Sequence, residues 1–419
     1  MFNVIRSSWA LLLGIMLLMI GNGIQGTLLG VRGQIEGFST QSMSIVMAAY
    51  FAGFLIGSQT VPELIRRVGH VRVFAALGSM ASAGLILYPA LTQWVSWTAL
   101  RLLLGFCFCG VYIVAESWLN NTTTNELRGR ALSLYLLAQM VGMVAAQAVF
   151  ALGDAGGYEL FIAVSVLVSL SFAPILLSAQ PVPPFETTHP MSFREIFQAS
   201  PLGCVGVFLL GGVFSGLYGM AGVYGAQAEF TTAGIAAFVS AISLGGLVLQ
   251  YPLGWLSDRV DRRRLIFAGA VIGAVACLVA MVGLGGFPGA VTWIFVIGGM
   301  ATPVYGMLLA YTNDYLDPDD MASASARLLF INGAGATVGP IITGWLMEWI
   351  GPAGFYVYLL VLFGGLAGYA LWRMVRRPAQ IGEDTAQYVA VPSTAITPVT
   401  MGAVVEEWEE QIAAEETAP

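Results

Sequence analysis

"GGLVLQYPLGWLSDRVDRRR" (residues 245–264) ends an apolar run and then places two aspartates and four arginines within residues 258–264. The run extends back to residue 232. It is therefore longer than the ~20 residues that cross a bilayer as a helix. Arginine density rises sharply at one end, and the positive-inside rule assigns such an end to the cytoplasm. The stretch thus reads as a membrane span with a fixed direction, and the rest of the chain tests that reading.

The 419 residues are 57% hydrophobic and 10% charged, with mean hydropathy +0.79. A soluble protein carries roughly 25% charged residues. Polar breaks leave twelve apolar runs: 8–30, 42–65, 71–92, 95–119, 129–152, 157–179, 201–226, 232–257, 264–285, 290–316, 321–349 and 353–376. Barrel strands of about 10 alternating residues do not occur. The chain reads as an all-α polytopic membrane protein. The first run lacks a small-residue cleavage site and is too long for a signal peptide, so it reads as an uncleaved first helix. All 17 basic residues are Arg, and 15 of them fall on one side of the twelve-span arrangement; Arg32 and Arg101 are the exceptions. Both termini are then cytoplasmic, in keeping with an even number of spans. The Arg-only, Ala-, Gly- and Val-rich composition suggests a bacterial origin, hence a multi-pass protein of the inner (cytoplasmic) membrane.

The net charge of −7 is unevenly spread: eight of the 24 acids follow Arg377, where no Arg occurs. This acidic tail (378–419) reads as disordered and disfavours nucleic acid as a partner. One piece of it, "AVVEEWEEQIAAEE", puts Val404, Trp408 and Ile412 on one helical face. The four cysteines lie inside apolar runs without metal-ligand spacing and read as small buried hydrophobes. His70 and His189 fall in expected loops. No nucleotide loop, metal cluster or nucleophile–base pair appears, so neither an enzyme nor a cofactor is expected.

The longest interior break, 178–197, divides the spans into two sets of six. The expected domains are an N-terminal bundle (1–179), a cytoplasmic linker (180–199), a C-terminal bundle (200–377) and the tail. Within the linker, "MSFREIF" reads either as a short surface helix or as plain linker. A shift of 193 residues lays "VYIVAESWLNN" (111–121) over "VYGMLLAYTND" (304–314), and a shift of 192 lays Arg67-x-Gly69 over Arg259-x-Asp261. Repeated halves suggest a midplane site and alternating access.

The loop at 254–263 resembles the signature of the major facilitator superfamily, Gly-x-Leu-x-Asp-Arg-x-Gly-Arg-Arg. Gly254, Leu256, Asp258, Arg259, Arg262 and Arg263 match, and Asp261 replaces the glycine. The first-half loop keeps Arg67, Gly69 and Arg72 but has Arg66 in the place of the aspartate, with Glu63 one turn earlier. Arg101-x-x-x-Gly105 resembles the family's fourth-helix pattern. "YGMLLAYTND" with "GAGATVGP" is most similar to the YcaD-like branch. The resemblance implies twelve transmembrane helices in two pseudo-symmetric six-helix bundles and a secondary transporter, active or facilitative, of a small organic solute. It also implies that Glu63, Arg67, Glu116, Arg128, Arg130, Asp258, Arg259, Arg262 and Asp314 form a cytoplasmic gate of charges. Glu116 is expected to pair with Arg67, Arg128 or Arg130.

Substrate contacts are sought where polar groups enter apolar spans. Arg101 stands about seven residues into its helix, roughly 10 Å deep at 1.5 Å per residue. An intramembrane Arg faces the bundle interior. It can bind an anionic group, influence proton movement, or tie carbonyls of the first helix to the fourth. Asn22 and Gln25 share a helix face. Tyr218, Tyr224, Gln227 and Tyr305 are further candidates, with Gln139, Gln147 and Asn332 behind them. Trp94 and Trp97 read as interface-belt residues. No Asp, Glu, His or Lys stands near mid-span, so nothing supports proton coupling directly, although protons stay among the candidate partners through Glu116. The remaining partners are a small-molecule substrate and the bilayer, and a monomer is expected. Import of a polar or anionic metabolite is weighed against multidrug-type efflux and against a non-transporting membrane sensor or scaffold with the same fold.

Overall fold

The computed structural model describes residues 2–122, 125–176, 191–316 and 318–376. The tail, most of the linker, and the side chains of Arg128 and Arg130 lie outside the described residues. The elements are all helical: α1 Phe2–Ile35, α2 Thr40–Val68, α3 His70–Leu87, α4 Trp94–Thr122, α5 Asn125–Leu152, α6 Glu159–Leu176, α7 Phe193–Ala199, α8 Pro201–Ser215, α9 Ala221–Gln227, α10 Thr232–Ser257, α11 Arg262–Met281, α12 Gly286–Asn313, α13 Pro318–Ile350 and α14 Ala353–Arg376. A π-helical segment, Gly216–Met220, joins α8 to α9. Eleven helical stretches are long and apolar enough to cross a membrane, and Glu159–Pro174 is a shorter apolar helix. Helices prevail because a bilayer offers no water to backbone N–H and C=O groups, which must be satisfied within each segment. Outward-facing apolar side chains such as Trp345, Trp349 and Tyr251 fit a lipid surroundings rather than water.

The described helices fall into two compact units. The first takes the described residues of Met1–Thr187 together with Leu217–Ser240 and Pro340–Gly354; the second takes those of Thr188–Gly216, Ala241–Gly339 and Phe355–Pro419. The unit boundaries therefore fall inside the α8–α9 span, α10 and α13. Inside the first unit, α9 lies against α1 so closely that a Cβ on Gly30 would meet the Gly222 carbonyl carbon at 2.7 Å. The Gln227 amide also reaches the Met347 carbonyl at 3.4 Å.

The tightest seam of the first unit joins α2 and α4. A Cβ on Gly105 would sit 1.9 Å from the Tyr50 carbonyl oxygen, and one on Gly53 would sit 2.0 Å from that of Leu102. Small residues let membrane helices approach to backbone contact. Gly105→Leu is expected to force this seam apart and abolish a monodisperse peak on size-exclusion chromatography in detergent; a wild-type elution profile would refute the role given to the seam.

"MSFREIF" is a helix, α7, and it starts with a capping box: the Ser192 hydroxyl accepts from the Glu195 N–H while the Glu195 carboxylate accepts from the Ser192 N–H. Those two hydrogen bonds hold the Glu195 carboxyl below its ordinary pKa. Trp97 is not an interface residue. It is fully buried, donates its indole N–H to the Tyr88 carbonyl at 3.1 Å, and stacks edge-on with Phe38 and Tyr88. His70 is not in a loop either: it opens α3 and is 3% exposed. All four cysteines are buried thiols. Arg32, one of the two arginines outside the main cluster, pairs with Glu36 and donates to the carbonyls of Ala155 and Gly157 at 3.3 and 3.2 Å, and also to that of Gly156. It fastens the end of α1 to the α5–α6 turn.

Candidate functional site

In the first unit, α1, α2 and α4 bring together the Asn22, Gln25 and Arg101 expected from sequence. Arg101 is 3% exposed. One of its Nη atoms donates to the Met47 thioether at 3.4 Å, its guanidinium lies 4.7 Å from the centre of the Tyr50 ring, and its Nε has no partner. A thioether is a weak acceptor. No carboxylate pairs with Arg101 among the described residues, and no carbonyl of α1 does, so the tie between the first and fourth helices is not made. The Tyr50 and Tyr88 hydroxyls flank the charge. The Asn22 amide faces Tyr50 and the Gln25 amide faces Tyr88, yet neither phenol has a well-aligned hydrogen bond. Both amide atoms of Gln25 lack partners. Asn22 donates to the Tyr112 hydroxyl at 3.1 Å.

The grouping is rich in donors and holds no acid. A buried donor without an acceptor costs about 1–3 kcal/mol, and a charged one more. Such a set complements a ligand that brings oxygen acceptors. Tyr50, Tyr88 and Met47 were missed in the sequence; their one signal is a polar or polarisable tip within an apolar run, a weak cue in a chain with 15 Tyr and 17 Met.

The other expected binding residues divide. Tyr218 lies in the π segment, where its carbonyl comes within 3.7 Å of a Cβ built on Gly26. Tyr224 stacks between Phe230 and Phe238 at ring distances of 5.9 and 5.2 Å, a packing position. Gln227 bonds to Met347 as described, and its Oε1 has no partner. Tyr305, in the second unit, is fully buried against Phe214, with a hydroxyl that lacks a partner. Gln147 joins α5 to α1, donating to the Gly23 carbonyl at 3.1 Å and accepting from Thr27 at 3.0 Å. Asn332 donates to the Val207 carbonyl at 3.1 Å. Gln139 is buried with both amide atoms unpartnered.

The charged residues cluster differently in the two units. In the second, Arg262 reaches both carboxylate oxygens of Asp314 at 2.6 and 2.7 Å, and Asp258 at 3.5 Å. The Arg262 and Asp314 side chains are 5% and 8% exposed. Asp261, at the family's glycine position, is the N-cap of α11: its carboxylate accepts from the Arg263 backbone N–H at 3.0 Å and from its guanidinium at 2.9 Å. Burial pushes the Asp261 carboxyl up, but the hydrogen bonds and charge of Arg263 outweigh it and hold the pKa below the ordinary value. Its φ of −47° needs no glycine. Arg259 turns back over the Trp255 ring at 4.0 Å and donates to the Trp255 carbonyl.

In the first unit, Glu63 pairs with Arg66 and, at 2.7 Å, with Arg67, all at the exposed end of α2. The described partner of Arg67 is thus Glu63. Glu116 is 3% exposed and accepts from the Tyr135 hydroxyl at 2.7 Å. Tyr135 was not singled out in the sequence. By the half repeat His70 stands where the second half has Arg262.

The family model described as Major Facilitator Superfamily matches residues 11–246 and 204–404. The uncharacterized MFS-type transporter YcaD of Escherichia fergusonii is 25% identical over 350 residues, covering 82% of this chain and 89% of that protein. The uncharacterized MFS-type transporter YfkF of Bacillus subtilis is 26% identical over 356 residues, covering 82% and 90%. Among solved structures, the nucleoside transporter NupG aligns with TM-score 0.72 at 15% identity, over 88% of this chain and 98% of that one. A bacterial homolog of the human lysosomal transporter Spinster, inward-facing and occupied, gives the same TM-score, identity and coverage. At such identity the two structures speak for the fold alone.

Proposed function

Because the chain belongs to the major facilitator superfamily, a family of membrane transporters, we propose that it is a secondary carrier moving a small organic solute by alternating access. The observation that carries the choice of solute is Arg101, 3% exposed and without an oxygen acceptor. The cargo brings that acceptor as a carboxylate or a comparable polar group. Asn22 and Gln25 lie on the same lining, and Tyr218, Gln227 and Tyr305 supply contacts from the second half of the sequence, while Tyr224 backs them through its packing on Phe230 and Phe238. Tyr50 and Tyr88 join this set on the strength of their flanking positions. The two six-helix bundles, 1–179 and 200–377, are the moving bodies, joined by the linker 180–199. Asp258, Arg262 and Asp314, with Glu63, Arg67, Glu116, Arg128, Arg130 and Arg259, form the gate on the cytoplasmic side of a bacterial inner membrane, where both termini lie. Any coupling to protons runs through Glu116 and its Tyr135 partner.

The test is a thermal-shift panel on purified protein, with monocarboxylates, amino acids, sugars, nucleosides and cationic drugs. Uptake into proteoliposomes follows, with and without a proton gradient. An anionic or multiply hydrogen-bonding solute is expected to raise the melting midpoint by several degrees and to be taken up. Stabilisation by cationic drugs alone would favour efflux, and a panel without any stabilising or transported solute would sink the carrier reading.

A further inference from the structure

The last turn of α14 carries a cation without its natural counterpart. Nε and Nη2 of Arg373, the two nitrogens on the side-on edge of the guanidinium, are shielded from solvent and have no acceptor. That edge is the fork that takes an oxyanion in bidentate fashion. Arg376 lies over the exposed Trp372 ring at 4.9 Å, and Arg264 is exposed on the first turn of α11. Among the described residues no carboxylate pairs with any of these three, whereas Arg262 and Arg263 each hold an aspartate. Tyr311 lies within electrostatic reach of both Arg263 and Arg373, which places the ends of α11, α12 and α14 side by side. The second unit thus ends in a basic surface with a buried oxyanion fork.

The chain itself carries the complement. Beyond Arg377 there is no basic residue, and six of the eight acids there fall within residues 406–416. Glu406 follows Arg376 by 30 positions, a length whose upper bound of roughly 100 Å at about 3.3–3.6 Å per residue allows the segment to reach the surface it starts from. Tethering raises the local concentration of those carboxylates to about the millimolar range, an advantage no free anion has. We propose that the acidic segment 406–416 docks on this arginine surface, its carboxylates meeting Arg376 and the outer edge of Arg373.

The chain has no lysine, which makes a clean test available on the full-length protein. Arg373→Lys and Arg376→Lys each introduce the single side-chain amine of the molecule. A zero-length carbodiimide then joins that amine to whichever carboxylate touches it, and peptide mass mapping names the acid. Arg262→Lys, made in parallel, links to Asp314 and calibrates the reagent. The expected result is an intramolecular amide from position 373 or 376 to a glutamate within 406–416, reduced at least about threefold in 0.5 M salt, where the Debye length is a few ångströms. Arg32→Lys is expected to give no tail link. Linkage of both variants only to acids outside 378–419, or none while the Arg262 control succeeds, overturns the proposal. Nanodiscs containing phosphatidylglycerol separate the tail from a lipid phosphate. A tail link that persists there supports docking, while one that forms only in zwitterionic discs gives the surface to the headgroup and overturns it.

Discussion

Arg101→Ala is expected to lower solute uptake about 100-fold while leaving the melting midpoint of the purified protein unchanged or raised. The two halves of that expectation have separate causes. A hydrogen bond to a charged group contributes about 1.5–3 kcal/mol, and the Arg101 fork can make two to a carboxylate. Losing them removes roughly 3 kcal/mol or more, at 1.4 kcal/mol per factor of ten. Stability moves the other way because the protein gives this cation little: one thioether contact at 3.4 Å and the face of Tyr50. Removing a poorly compensated buried charge relieves its desolvation cost. Arg101→Lys keeps the charge but loses the planar fork, and is expected to fall between wild type and alanine in uptake. Had Arg101 been a structural tie, the alanine variant would melt several degrees lower and transport in proportion to its folded fraction. Wild-type uptake in the variant would remove Arg101 from the binding site.

Asp314→Ala is expected to destabilise the protein by about 3 kcal/mol, because breaking a buried pair strands the surviving charge. That charge is Arg262, 5% exposed, whose Nη1 lies within hydrogen-bond distance of both Asp314 carboxylate oxygens. Asp258, at 3.5 Å, offers it only a longer and more exposed alternative. The companion expectation is that Arg262→Met combined with Asp314→Leu recovers most of the loss, since well-packed apolar residues can replace a buried pair at little cost. Thermal denaturation of the four proteins in one detergent completes the cycle. Additive losses in the double variant would show that the two residues act independently and would refute the pair as a stability element. If the pair also acts as a gate, the double variant folds but transports poorly, because a gate needs charges that can part and rejoin.

The spans were legible because a bilayer allows few alternatives: long apolar runs must be helices, and eleven described stretches are long and apolar enough to cross. The loop at 254–263 was legible down to its departure from the family pattern. Asp261 replaces glycine and turns out to cap a helix at ordinary φ. What escaped reading were relations between helices. Nothing in the residues around Arg101 says that its neighbours are a thioether and an aromatic face rather than carbonyls. Trp97 lies close to a helix end, where membrane proteins set aromatic belts, yet the turn at Tyr88–Ala90 folds over it and buries it. His70 falls between the apolar runs 42–65 and 71–92, yet the chain turns within Gly69 alone, at φ 88°, and α3 begins at once. Of the three arginines expected beside Glu116, Arg67 pairs with Glu63, one turn away on the same helix, and the side chains of Arg128 and Arg130 lie outside the described residues.

The π segment at Gly216–Met220 carries a consequence for how this chain tolerates insertion and deletion. A π turn is an α-helix holding one residue more than its neighbours need. Each residue of an α-helix advances the side chains by about 100°, from 3.6 residues per turn. Removing one residue between Gly216 and Met220 is therefore expected to restore regular hydrogen bonding while keeping Gly222 opposite Gly30. A one-residue insertion adds to an excess already accommodated, and is expected to swing α9 by up to about 100° and turn Gly222 away from the face where a Cβ on Gly30 would lie 2.7 Å from its carbonyl carbon. The segment is thus expected to accept a deletion more readily than an insertion.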